Sequence, residues 1–171
     1  MSACFQVYTG DGKGKTTAAL GLLLRAAGAG KRIFFCQFLK DGRSSECIAL
    51  RERFPEIVCR YFGSGAWIKG EPSAADKAAA QTGFEELCAT VTGGAYDLVI
   101  ADEIQHAISL KLIALDRVIH LLKQRPSTVE LVFTGRQAHP RILECADLIS
   151  EIVCRRHPFA DGMNARRGID Y

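Results

Sequence analysis

None of the seven cysteines forms a C-x-x-C pair, and their number is odd. Most lie in apolar surroundings such as Phe34-Phe35-Cys36 and Ile152-Val153-Cys154, where a free thiol packs as a small hydrophobe. This argues against a structural zinc site or a disulfide framework and leads us to expect a reduced, cytoplasmic chain. No apolar run approaches the ~20 residues that cross a bilayer, and Met1-Ser2-Ala3-Cys4 carries no charged-then-apolar leader, so no membrane partner is expected. An excess of one charge is also missing. Against 22 basic residues stand 19 acidic ones, and a net charge of +3 implies no nucleic-acid partner. Repeats, low-complexity tracts and linkers are absent. The 171 residues, 48% hydrophobic, therefore read as one domain over 1–171, able to bury about 70% of its unfolded surface.

What the chain does have is concentrated near its start. Thr9-Gly10-Asp11-Gly12-Lys13-Gly14-Lys15-Thr16-Thr17 follows the apolar run Phe5-Gln6-Val7-Tyr8 and leads into Ala18-Ala19-Leu20. That order is strand, glycine-rich loop, helix. Glycines let the backbone turn its N–H groups inward, and the first helical turn adds unpaired donors with partial positive charge, so the stretch predicts a polyphosphate cradle. Lys15 reaches phosphate oxygens and the Thr16 hydroxyl joins a Mg²⁺ shell, as in the Walker A motif. The usual spacing would put glycine where Thr9 stands; Gly10 and Gly12 supply the flexibility one register later.

Strand, loop, helix and the apolar strand 33–38 make a βαβ unit, which predicts an α/β fold of P-loop NTPase-like, RecA-like type: a mostly parallel sheet with helices on both faces. A helix over 46–54 and a strand over 57–62 follow. Lys40 and Arg43, at the carboxyl end of the second strand, are candidates for ligand contact. The glycine-punctuated segment 63–72 carries the only tryptophan, Trp67, either a lid over a large flat ligand or a loop anchor tucked into the core. Ser73 and Asp76 form a capping box for a helix over 74–92, ended by Gly93-Gly94. The strand 96–103 ends in Asp102-Glu103, a Walker B pattern whose carboxylates hold Mg²⁺, with its tip expected beside that of the first strand. A helix over 112–124, a strand over 129–134, a helix over 139–146 and a strand over 148–153 complete the pattern. Arg136, just after the strand 129–134, is placed to neutralise phosphate or an acidic group.

With these pieces placed, the sequence resembles the P-loop ATP:corrinoid adenosyltransferases, the cob(I)yrinic acid a,c-diamide adenosyltransferase type. The blocks that carry the resemblance span nearly the whole chain: Val7 through Ala19, Gln37-Phe38, Gly63-Ser64-Gly65 with Ile68-Lys69, Asp102-Glu103-Ile104, Thr134-Gly135-Arg136, His157-Pro158-Phe159 and Gly168-Ile169-Asp170-Tyr171. The off-register phosphate loop is similar to that family's own version. In two places the chain departs from the pattern. Ala66 stands where an aromatic is usual, leaving Trp67 as the aromatic, and the chain begins at the first strand, without the helical extension with which some members cover the corrinoid.

The resemblance implies transfer of the 5′-deoxyadenosyl group of ATP to cobalt(I), with triphosphate leaving. It implies that residues 10–17 hold the phosphates in the reversed orientation understood for the family, that Lys15 and Arg136 stabilise the leaving group, and that Mg²⁺ sits on Thr16 with Asp102 or Glu103. Cobalt(I) is itself the nucleophile, so none of His106, His120, His139 or His157 need act as a base, and no D-x-H-x-x-G segment offers cobalt a ligand. Trp67 would cover the corrinoid's lower face. A homodimer and an electron-donating flavoprotein or reductase are the implied partners. Two rivals remain: a nucleoside kinase of thymidine-kinase type, suggested by Asp102-Glu103-Ile104-Gln105, and a RecA-like nucleic-acid binder using Arg155, Arg156, Arg166 and Arg167.

Overall fold

The computed structural model describes residues 2–68, 70–158 and 162–171. Lys69 and Phe159, both among the family-like blocks, lie outside the described residues, as do Met1, Ala160 and Asp161. The order of elements is β1 (Phe5–Thr9), α1 (Lys15–Gly28), β2 (Ile33–Phe38), α2 (Ser45–Arg53), β3 (Val58–Phe62), α3 (Ala74–Gly93), β4 (Leu98–Asp102), α4 (Ile104–Ser109), α5 (Leu115–Gln124), β5 (Glu130–Thr134), α6 (Pro140–Leu143) and β6 (Leu148–Glu151). Among the described residues the six strands are all parallel, in the order β3-β2-β4-β5-β1-β6.

Alternate residues of the central strands feed two cores, which is why these strands read as near-continuous apolar runs. On one face Phe34, Cys36, Phe38, Val99, Ala101, Leu131 and Phe133 pack with Phe84, Leu87 and Val91 of α3 and with α4 and α5. On the other, Ile33, Phe35, Ile100 and Val132 pack against Ala19 and Leu23 of α1 and Leu50 of α2. Phe5 meets Phe133 edge-on, with ring centroids 5.0 Å apart, tying β1 to β5 inside the first core.

The capping box forms as its spacing predicts: Asp76 N donates to Ser73 Oγ at 3.1 Å and Ser73 N to Asp76 Oδ2 at 3.0 Å. Gly94 closes α3 in the left-handed region at φ 64°. Three expectations need correction. The helix expected over 112–124 starts only at Leu115, because Leu112 and Ile113 are buried in the turn before it, and 104–109 form a separate helix, α4. The helix expected over 139–146 is one turn, Pro140–Leu143. The tips of β1 and β4 are not neighbours, since β5 runs between them. Among the described residues no helix is long and apolar enough to cross a membrane.

Candidate active site

Because every strand points the same way, the tips of β1, β5 and β4 end on one edge of the sheet, at Thr9, Thr134 and Asp102. Thr9 stays in the ladder, opposite Glu151, and its hydroxyl accepts from Ala138 N at 3.3 Å. The glycine is needed one residue later. At Gly10, with φ 98°, a Cβ would lie 2.5 Å from the Ile152 carbonyl oxygen. Gly12 N donates to that same oxygen at 2.7 Å, and a Cβ there would stand 2.6 Å from it. The unusual register therefore follows from how tightly the loop wraps the exit of β6.

Lys15 opens α1 and is 7% exposed. Its Nζ donates to Gly10 O and Gly12 O, both at 2.7 Å, and burial pushes its pKa down, against the pull of Glu103. Next on the helix, Thr16 Oγ1 donates to Asp102 at 2.9 and 3.2 Å from the two carboxylate oxygens. Asp102 is fully buried and also accepts from Thr134 Oγ1 at 2.5 Å and Gln37 Nε2 at 3.0 Å. Burial, reinforced by Glu103, pushes its pKa up to about 6, while these three donors pull the other way. Glu103 N donates to Thr134 Oγ1 at 3.0 Å, and Glu103 itself takes a left-handed backbone, φ 59°. Thr134 thus spans the β1–β4 separation created by β5.

Lys15, Thr16, Gln37 and Glu103 face a cavity of about 690 Å³ that is also lined by Asp11, Gly12, Lys13, Gly14, Thr17, Lys40 and Arg136, while Asp102 and Thr134 are buried behind its wall. Arg136 has no carboxylate partner among the described residues. The opposite wall is the C-terminal tail, including Met163, Asn164, Ile169 and Asp170. Lys13 Nζ donates to Ile169 O at 2.8 Å and pairs with Asp170, whose carboxyl Lys13 and Arg166 hold well below the usual range. Ser45 Oγ donates to Tyr171 O at 2.9 Å. Arg43 pairs with Asp41 at 2.9 Å and Lys40 lines the cavity, so of the two candidate loop cations only Lys40 faces it.

Of the predicted phosphate-loop residues Thr9 to Thr17, the cavity brings together Asp11 to Thr17, while Thr9 and Gly10 do not line it. Trp67 lies apart from it and is 73% exposed, which overturns the core-anchor alternative. Its ring stands 6.3 Å from that of His106 on α4. Gln37 and Thr134 stood in the sequence only within family-like blocks, with no role of their own. Each is a lone polar residue at or near the end of an apolar strand, and that was the available signal.

The donor set suits Mg²⁺. A buried carboxylate, a threonine hydroxyl aimed at it and a second carboxylate at the rim are hard oxygen ligands. Such a cation is held by one or two carboxylates together with substrate phosphates.

Residues 2–171 match the family model described as ATP:corrinoid adenosyltransferase BtuR/CobO/CobP. The corrinoid adenosyltransferase of Pseudomonas aeruginosa is 32% identical over 166 residues, covering 96% of this chain and 82% of that protein. The corrinoid adenosyltransferase CobA of Salmonella typhimurium is 34% identical over 165 residues, 96% of this chain and 84% of its own. An uncharacterized protein of Nostoc sp. is 31% identical over 179 residues, and the chain spans about half of its length, 47%. A match that runs from the first strand through the tail on the far wall of the cavity leaves one reading of descent: the chain belongs to the ATP:corrinoid adenosyltransferase family.

Proposed function

We propose that the chain, acting as one domain, transfers the 5′-deoxyadenosyl group of ATP to the cobalt(I) of a reduced corrinoid. The cobalt–carbon bond forms with the metal's own electron pair as the C5′–oxygen bond breaks, and triphosphate leaves with the bonding electrons. Cobalt goes formally from (I) to (III). No protein base is required. The chain's task is to hold the triphosphate, stabilise its growing charge and keep the reacting carbon in line.

One observation carries this reading: Lys15, the rest of the loop from Asp11 to Thr17 and Arg136 line one cavity of about 690 Å³ at the sheet's edge. Lys15, already stripped of bulk water and resting on loop carbonyls, exchanges those for phosphate oxygens at little reorganisation cost. Arg136 supplies a second cation. Thr16, with Asp102 and Glu103, would hold Mg²⁺, which adds positive charge beside the leaving group. Exposed Trp67 serves as a flat apolar surface for the corrinoid's lower face. A cytoplasmic homodimer fed electrons by a flavoprotein or other reductase completes the proposal.

The test is anaerobic incubation with ATP, Mg²⁺ and chemically reduced corrinoid. A light-sensitive cobalt–carbon product with stoichiometric free triphosphate is the expected result. Release of ADP or orthophosphate with no alkylated cobalt would overturn the proposal and favour a kinase.

A further inference from the structure

Gln37 is 2% exposed, and both ends of its amide are used. Nε2 donates to Asp102 Oδ2 at 3.0 Å, and Oε1 accepts from Cys47 Sγ at 3.0 Å. Cys47, in the first turn of α2 and 0% exposed, accepts in turn from Ser44 Oγ at 3.0 Å. Ser44 lines the cavity. An unbroken path therefore runs from the cavity wall through Ser44, Cys47 and Gln37 to Asp102 and Thr16, crossing from α2 to β2, β4 and α1.

The two ends of an amide are nearly equal in size and opposite in polarity, so its partners alone decide which end faces a neighbour. Reversed, Gln37 would set its carbonyl oxygen against the Asp102 carboxylate. The sulfur of Cys47 already accepts from Ser44, which directs its one proton at Gln37 Oε1. Burial pushes the thiol's pKa up, against the pull of the Ser44 and Tyr61 hydroxyls, so the proton stays in place at neutral pH. Gln37 also lines the cavity itself, whereas Cys47 lies behind its wall.

We propose that Cys47 and Gln37 are positioning residues for the nucleotide–metal site: the thiol fixes the direction of the Gln37 amide, whose N–H aims the Asp102 carboxylate that Thr16 shares. This rests on the function proposed above. Titration calorimetry of the full chain with ATP, with Mg²⁺ and then with EDTA, tests it. Cys47→Ala and Gln37→Leu should each weaken Mg²⁺-dependent ATP binding about tenfold, the scale of one buried acceptor left unpaired, and leave binding in EDTA unchanged. Cys47→Ser, which keeps a donor, should stay within about twofold of the parent chain. Cys47→Ala combined with Gln37→Leu should bind no more weakly than Gln37→Leu alone, because the two act in series.

The proposal is overturned if Cys47→Ala matches the parent chain, if Cys47→Ser is as damaged as Cys47→Ala, if binding in EDTA falls equally, or if the parent chain's ATP binding is independent of Mg²⁺. Failure of the proposed function reads differently: a parent chain that shows the Cys47 pattern in calorimetry yet forms no cobalt–carbon product supports the positioning role and rejects the transfer reaction.

Discussion

The ammonium of Lys15 sits 2.7 Å from the carbonyl oxygen of Gly12, held inside its own loop. A cation stored there is desolvated before substrate arrives. Replacing it with alanine should cut turnover by roughly 10²- to 10³-fold, the scale for losing one preorganised charge-stabilising donor. Steady-state rates of Lys15→Ala near those of the parent chain would rule out the role.

Asp102 makes a prediction about pH. Its pKa, raised to about 6, exceeds the ordinary carboxylate value of ~3.9, so the metal-free fold binds this proton more tightly than the unfolded chain does. The resulting stability is complete below about pH 4 and is lost as pH rises through about 6. Thermal unfolding without Mg²⁺ should show that decline, and Asp102→Asn should flatten it. Mg²⁺-dependent ATP binding runs the opposite way, weakening as pH drops below about 6, since the cation needs the ionised carboxylate. An unchanged unfolding profile in Asp102→Asn would refute the assignment.

Trp67→Ala should leave stability within about 0.5 kcal/mol, as expected for a residue so exposed. It should impair corrinoid adenosylation far more than ATP binding. Equal losses in parallel titrations of the two substrates would exclude a corrinoid-facing role.

Gly12→Ala puts a methyl group 2.6 Å from the backbone oxygen of Ile152 and 2.8 Å from its Cγ2, and the backbone oxygen cannot rotate out of the way. Displacing the loop from β6 should cost ~1–3 kcal/mol of stability and weaken ATP binding by more than tenfold. Normal melting temperature and normal affinity in that variant would mean the contact is looser than described.

Much of this architecture was legible in the residues. Both-face burial of the central strands shows as unbroken apolar runs, the capping box at Ser73 and Asp76 is a local code, and Gly-Lys-Thr after a strand marks the cradle by chemistry alone. The order of strands was less accessible. Nothing local to β4 or β1 reports that β5 separates them, because that depends on which crossovers pack best. Consequently Thr134, the residue that bridges the gap to Asp102, looked like an ordinary strand end. Trp67 was ambiguous for a related reason: an indole on a glycine-rich loop has the same sequence whether it points in or out. The tail hid its position too, since the Lys13–Asp170 pair joins residues far apart in the chain.

The place of β1 between β5 and β6 also sets the order in which competence arises during synthesis. Within this domain β1 has no lateral partner until β5 and β6 have been made, and Gly12 N waits for the carbonyl of Ile152. A nascent domain therefore carries its nucleotide loop, unformed, until β5 and β6 have been made, and the phosphate cradle closes only after most of the domain exists.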